Sequence, residues 1–342
     1  MELDVKKLNE DNYSIVLYYI RWSLLFSDYI FSFLGTSLNI LLLYLLIRIK
    51  NVEFLKYRRI LLHTTITDII FSPTIAYSVL AMEPGTNYIF AWPSGAINYL
   101  PRKFAIYLLM FHINLFFLII SNNAIIFMYR YLRIVKGYSM NGIQYGASTI
   151  LIVLWNLIGF KVWVDAFNNM SQNDYQSATK ELPKEFFYDS SGKEIRVFIA
   201  KPLGFNGMLC VLHVLLTLIV VLVIVSYTYL SVLRTLKVKR SSMSKKSKTL
   251  HRQLNISMLL HTGISIVSIF LPIFFLLFCT ISRKKLYGFG HLFFFIFEYI
   301  PTVNALISIY FVTYCKNEFL KLIGRERSNS QVVETEECNI SK

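Results

Sequence analysis

The chain has 342 residues, of which 55% are hydrophobic and only 16% are charged, and its formal net charge is +15. A soluble domain carries about 25% charged residues, so this composition excludes a single soluble core and indicates that lipid surrounds much of the chain. The basic residues stand between long apolar runs, which argues against nucleic acid as a partner and favours an anionic membrane surface.

Seven apolar segments are long enough to cross a bilayer, because a spanning helix needs about 20 residues. They predict an all-α membrane protein built as one seven-transmembrane helix bundle, with no internal repeat and no attached soluble domain. In chain order the predicted spans are residues 24–47, 60–82, 104–128, 143–164, 204–233, 256–280 and 289–313.

The lysines and arginines between the spans predict the orientation of the bundle. With the N-terminus outside, the cytosolic segments hold 21 basic residues and the outer segments 13, as the positive-inside rule requires. We therefore expect an extracellular N-terminus (1–23), a transmembrane domain (24–313) and a cytosolic tail (314–342). The sequons at Asn12 and Asn169 then fall outside, where glycosylation takes place.

The cysteines and the polar surface residues offer few signs of chemistry. Cys210 and Cys279 lie near the outer ends of their spans, where a bridge is conceivable, but buried free thiols are favoured for these and for Cys315 and Cys338. No catalytic cluster of histidines and acids stands near either surface. We expect no enzyme, no bound metal and no cofactor.

Ionisable side chains inside the spans are the main functional candidates, because burying them in lipid is costly. Chain counting places His112, His213 and Glu298 on three helices, roughly 12–14 Å below the outer surface. We interpret them as the floor of an outward-facing cavity, with His112 and Glu298 paired across it. The alternative is that each only holds helices together. The apolar walls predicted around them are Tyr107, Phe111, Met208, Phe274 and Phe275.

Two further groups of residues stand towards the cytosolic side. Asn39, Asp68 and Asn304 lie at comparable depths and predict one hydrogen-bonded cluster, either structural or acting as a protonatable switch. The basic loop 234–255 contains Lys245, Lys246 and Lys248 among its eight cations. Such a loop anchors on anionic lipid, and it also offers a surface for a partner protein.

Short motifs in a fixed order resemble those of rhodopsin-like G protein-coupled receptors. They are Asn39, Asp68, the passage Tyr129-Arg130-Tyr131, Trp155, Pro272 and Asn304. Three features depart from that pattern: Tyr129 replaces an acid, Ala305 replaces the proline after Asn304, and the usual outer disulfide is absent. These departures bear on the standard resting-state lock of such receptors.

A closer resemblance is to nematode serpentine chemoreceptors of the Str and Srd kind. It rests on the passages at 38–45, 57–62, 129–131, 250–254 and 301–314, which together extend over nearly the whole chain. The last passage is similar to the family's ending, although Ala305 and Cys315-Lys316 replace its usual residues.

The resemblance implies a chemosensory receptor of the odorant type. A small molecule would bind in the outer half of the bundle, and a heterotrimeric G protein would dock near Arg130 and the lysines of the loop 234–255. The implied location is the plasma membrane, in the ciliary membrane of a sensory neuron. The alternative is a seven-span ligand-gated channel or a small-solute transporter, which predicts repeated halves or broken helices along a polar path.

Overall fold

The computed structural model of the chain describes residues 2–182, 184–188, 195–239, 241, 243–284, 290 and 296–324. Seven of its helices coincide with the predicted spans, although 289 and 291–295 of the seventh span lie outside the described residues. They are α1 (Glu2–Arg48), α2 (Val52–Ser78), α3 (Arg102–Ile134), α4 (Gly142–Asn168), α6 (Phe205–Val238), α7 (Lys245–Ile281) and α8 (Ile300–Phe311). Two shorter helices are α5 (Gln172–Thr179) and α9 (Thr313–Leu322). The predicted helix bundle is confirmed.

Length and apolar composition qualify five of the described helices as membrane spans, namely α1 from Tyr19 onward, α3, α4, α6, and α7 from Ser247 onward. A sixth is obtained if the stretch 296–311 and α9, which meet at 92°, count as one bent span. The helix α2 is not among them because polar residues such as His63 and Asp68 interrupt its apolar run. A lipid environment explains the helices, since a backbone in lipid must satisfy its own hydrogen bonds.

Helix α3 is the centre of the bundle. Of its apolar segment 72% is buried, against 28% for α4. It packs against α2, α4, α6 and α7, while α1 packs against α2 and α8. The polar side chains in the middle of α3, such as Asn114, Ser121 and Asn122, therefore face protein.

A three-stranded antiparallel sheet covers one end of the bundle, which we call the sheet end. Its strands are β1 (Leu80–Pro84), β2 (Ile89–Pro93) and β3 (Phe198–Ala200), with β2 in the centre. The sheet corrects two expectations: the span 60–82 was predicted too long, and the outer segments 83–103 and 165–203 contain strands. Val79, with φ of 41°, separates α2 from β1.

The two faces of the sheet join different apolar clusters, because successive side chains of a strand point to opposite faces. Toward the bundle point Leu80, Met82, Ala91, Phe198 and Ala200. Away from it point Ala81, Phe90, Trp92 and Ile199, which pack with Ala178, Leu182, Phe186, Ile195 and Val197. The strands, α5 and the 3₁₀ turn Lys184–Phe187 form a unit that we call the cap.

At the opposite end, α6 and α7 continue well beyond the predicted spans. Most of the predicted basic loop 234–255 is therefore helical, which corrects that expectation. Ser244 caps α7 by accepting a hydrogen bond from the backbone N–H of Ser247. Lys245 and Lys248 stand at the start of this helix, while the side chain of Lys246 lies outside the described part of the chain.

Three of the four cysteines are buried free thiols, as expected from the sequence: Cys210, Cys279 and Cys315. No disulfide therefore joins Cys210 to Cys279. Cys338 lies outside the described residues.

Candidate functional site

Two adjoining apolar cavities lie between the helices and the sheet, and together we call them the apolar cavity. One encloses about 550 Å³ and the other about 440 Å³, counting space that is open to the surroundings. Both are lined by Met82, Trp163, Ile273 and Leu276. A pocket that binds a small ligand is concave and mostly apolar, and the lining of this site matches that description.

The sheet forms the roof of the apolar cavity. Met82 of β1, Ile89 of β2 and Ala200 of β3 all line it. Beside them, the start of α6 lies so close to the turn after β3 that a Cβ on Gly207 would stand 2.1 Å from the carbonyl oxygen of Lys201. Only glycine fits there, so the roof and the wall meet without a side chain between them.

His112 lines the apolar cavity, and its hydrogen-bond partner is on α2. Its Nδ1 is 2.7 Å from Thr74 Oγ1, and its ring stacks on Phe71 at 5.1 Å. The Thr74 hydroxyl donates to the Phe71 carbonyl oxygen at 2.6 Å, so its oxygen accepts the proton of Nδ1. This leaves Nε2 of His112 as an acceptor on a ring that lines the cavity.

The predicted pair of His112 and Glu298 is not formed. Neighbouring residues of a helix point about 100° apart, and here Phe297 takes the direction toward α3, with its ring 4.2 Å from that of Phe116. Glu298 instead lines a different cavity, together with Asp28 of α1. Chain counting places the two residues at a similar depth, but it carries no information on the direction in which each side chain points.

His213 lines neither part of the apolar cavity. Its ring stacks on Trp155 of α4 at 5.2 Å and meets Phe117 edge-on at 5.8 Å. It packs directly over Gly159, where a Cβ would stand 2.3 Å from its Cε1. The contacts match the alternative reading, in which the histidine holds helices together.

The predicted apolar walls are wrong for most of their members. Tyr107, Phe111, Met208 and Phe274 are exposed, and Phe275 is half-buried but lines neither part of the apolar cavity. Phe111 and Tyr107 stand four residues apart, on the face of α3 opposite the buried one, and such a face meets lipid. The walls that the prediction missed include Trp163, Phe167, Val214, Ile273 and Leu276.

The predicted polar cluster is present in a modified form. Asn304 Nδ2 donates to Asp68 Oδ2 at 3.1 Å. Asn39 does not reach that carboxylate, because its Nδ2 donates to the carbonyl oxygens of Gly35 and Pro301 at 2.8 and 3.0 Å. The three residues thus link α1, α2 and α8 through two separate contacts.

Arg130 is buried at the opposite end of the bundle, with 2% of its surface exposed. It donates to the carbonyl oxygen of His251 at 3.0 Å and contacts Met258 Sδ at 3.4 Å. Tyr129, in the place of the usual acid, accepts from Arg133 at 3.1 Å. The arginine therefore binds the backbone of α7 where a resting-state lock would use an acidic partner.

The two predicted glycosylation sites, Asn12 and Asn169, lie in different surroundings. Asn169 is exposed and ends α4 at the sheet end. Asn12 lies within the backbone of α1, and its side chain lies outside the described part of the chain.

A family model matches residues 25–320, and its description is serpentine type 7TM GPCR chemoreceptor Str. The chain belongs to this family. The resemblance to the Str chemoreceptors is thereby confirmed, and the chain is a multi-pass membrane protein and a G protein-coupled receptor. The Str family is a receptor family and not an enzyme class, which also favours a receptor over the channel or transporter alternative.

Among solved structures, the crystal structure of squid rhodopsin is similar to the chain. The TM-score is 0.54 at 13% sequence identity, covering 86% of this chain and 77% of that one. At this identity the similarity shows the fold alone. No curated protein sequence matches the chain.

Proposed function

We propose that this Str receptor binds a small, mostly apolar molecule in the apolar cavity and activates a heterotrimeric G protein in response. The observation that carries the proposal is the cavity itself, which is roofed by the sheet and lined by α3, α4, α6 and α7. A ligand that contacts all four helices can favour one arrangement of these helices over another. It shifts the equilibrium between the two arrangements only to the extent that its affinities for them differ.

His112 limits the chemistry of the ligand. Its Nε2 is an acceptor on an otherwise apolar surface, so we infer that the ligand carries one hydrogen-bond donor, such as a hydroxyl group. A buried acceptor without a donor costs about 1–3 kcal/mol. Ligands with the donor should therefore bind more tightly than matched ligands without it.

Filling the cavity tests the binding site. Ala166 of α4 lines it, and Ala166→Phe should lower ligand potency by at least about tenfold, since a phenyl ring occupies space that the ligand needs. The control is Ala147→Phe, an exposed position on the same helix, which should leave potency unchanged. Equal potency of the two variants, at matched surface expression, would place the ligand elsewhere.

Arg130 is the residue that we assign to coupling. Movement of the start of α7 would break its contacts to His251 and Met258 and open a docking cavity for the G protein. Arg130→Ala should reach the cell surface and bind ligand but fail to activate. Normal activation by this variant would refute the role, and Arg234→Ala, an exposed cation on α6, serves as the control.

Lys245, Lys246 and Lys248 are proposed to add charge to the same coupling surface. Replacing all three with glutamine should weaken activation at constant surface level. Unchanged signalling would assign them to lipid attachment alone.

The receptor is proposed to reside in the plasma membrane, in the ciliary membrane of a sensory neuron, with its N-terminus outside. An epitope placed at residue 2 should be reached by antibody on intact cells, and one at residue 340 only after permeabilisation. The reverse pattern would contradict the orientation and with it the coupling side.

A further inference from the structure

A second cavity, which we call the acidic cavity, lies on the other side of Leu80 from the apolar cavity, since Leu80 lines both. It measures about 290 Å³, counting space that is open to the surroundings. Its lining comes from α1, from the start of the sheet and from the residues before α8, namely Arg21, Leu24, Asp28, Val79, Leu80, Ala81, Ser94 and Glu298.

Two carboxyl groups in this cavity each have one oxygen atom without a hydrogen-bond partner. Asp28 is 2% exposed and Glu298 is 3% exposed, and both line the cavity. Asp28 Oδ1 and Glu298 Oε2 have no hydrogen-bond partner. Burying a charged acceptor without a donor is costly, so these two groups call for a ligand that supplies donors.

Arg21 does not supply them. Its guanidinium donates to the carbonyl oxygens of Phe186 and Tyr188 at 3.3 and 2.9 Å and lies over the rings of Trp92 and Phe186. Two carboxyl groups and one guanidinium line the cavity, and a bound cation would favour the ionised form of both carboxyl groups.

We propose that the acidic cavity binds a small alkylammonium ion whose N–H groups donate to Asp28 and Glu298. An ammonium group has three donors and no acceptor, which matches two carboxylates. The alkyl group would contact Leu24, Leu80 and Ala81. A metal ion fits less well, because the described residues contain no group of three or more His, Cys, Asp or Glu side chains that holds one. The proposal is independent of G protein coupling and of the ligand in the apolar cavity.

The test is thermal unfolding of the purified full chain in lipid nanodiscs, with propylammonium and propanol as probes. A ligand that binds only the folded state raises its unfolding temperature. At saturation propylammonium should raise the midpoint by at least about 2 °C, whereas propanol, with the same alkyl chain and no charge, should not. No rise specific to propylammonium in the unmodified chain would overturn the proposal, whatever the variants do.

Variants locate the binding site. Asp28→Asn and Glu298→Gln should each abolish the rise. Asp165→Asn should retain it, because Asp165 lies on α4, pairs with Lys161 at 2.6 Å and lines neither cavity. A rise that persists in both Asp28→Asn and Glu298→Gln would overturn the assignment, as would a larger rise with calcium than with propylammonium.

Discussion

The two ends of the helix bundle are closed in different ways. At the sheet end, a sheet with an apolar cluster on each face covers the helices, and Arg21 fastens the cap to α1. At the opposite end, Arg130 joins α3 to α7 through one carbonyl oxygen and one sulfur atom. At the sheet end, burial of apolar surface spreads the stabilising free energy over many residues. At the opposite end, much of it depends on the single side chain of Arg130. The comparison indicates a firm roof over the apolar cavity and an opposite end that opens more easily.

The substitution with the largest expected effect tests the stability of the cap. Trp92 is fully buried and meets the Phe186 ring edge-on at 5.5 Å, so Trp92→Ala should cost about 3–5 kcal/mol of stability. Limited proteolysis of the segment 171–188 in intact vesicles should become much faster. Phe205→Ala, at an exposed position of the same end, should have little effect. Equal protection in both variants would show that the sheet does not depend on its outer cluster.

The second effect tests the opposite end. Arg130→Met keeps a long side chain but removes the charged hydrogen bond to His251, which is worth about 1.5–3 kcal/mol. Backbone hydrogens in the first turns of α7 should then exchange at least about tenfold faster. Arg234→Met is the matched control and should leave exchange unchanged. Slow exchange in Arg130→Met would mean that other contacts hold α7.

A third effect tests the packing between the two ends. Gly159→Ala places a Cβ 2.3 Å from His213 Cε1, and because the ring is stacked on Trp155, the clash should cost about 1–3 kcal/mol. Adding His213→Ala should recover much of the lost unfolding temperature. Gly146→Ala on the same helix meets nothing within 4 Å and should stabilise by about 0.5–1 kcal/mol. Equal unfolding temperatures for the two alanine variants would contradict the close approach.

The smallest effect is a pH dependence of the cap. Hydrogen bonds from Ser171 and Lys201 hold the pKa of Asp174 below its usual value of 3.8. A carboxyl with a lowered pKa stabilises the folded state above its unfolded pKa, and the stabilisation is lost as pH falls through the folded pKa. Proteolysis of the cap should therefore quicken below about pH 4. In Asp174→Asn this part of the pH dependence should vanish, while in Asp165→Asn it should persist.

The sequence located the seven long helices, although not their exact ends, because lipid imposes one simple requirement, a long apolar run. Chain counting also predicted that Asp68 and Asn304 lie close together, because it places both residues at a similar depth in the bundle. It failed for His112 and Glu298 because depth does not fix direction around a helix. Phe297, one residue earlier, holds the position facing α3.

The cap was missed for a different reason. Residues 80–82 continue the apolar run of α2, so nothing in hydropathy marks the change from helix to strand at Val79. The partner strand β3 has three residues and stands more than a hundred positions away from β2. The walls of the apolar cavity were missed because they depend on this roof.

The order of the strands along the chain has a consequence for the folding of the protein during its synthesis and membrane insertion. The hairpin of β1 and β2 is local and can form early, but β3 is made only after α3, α4 and the segment that follows α4. In the interval β2 presents an unpaired edge, and such edges attract other strands. The order of synthesis thus leaves the receptor with one exposed strand edge, which β3 must cover before a strand of another chain pairs with it.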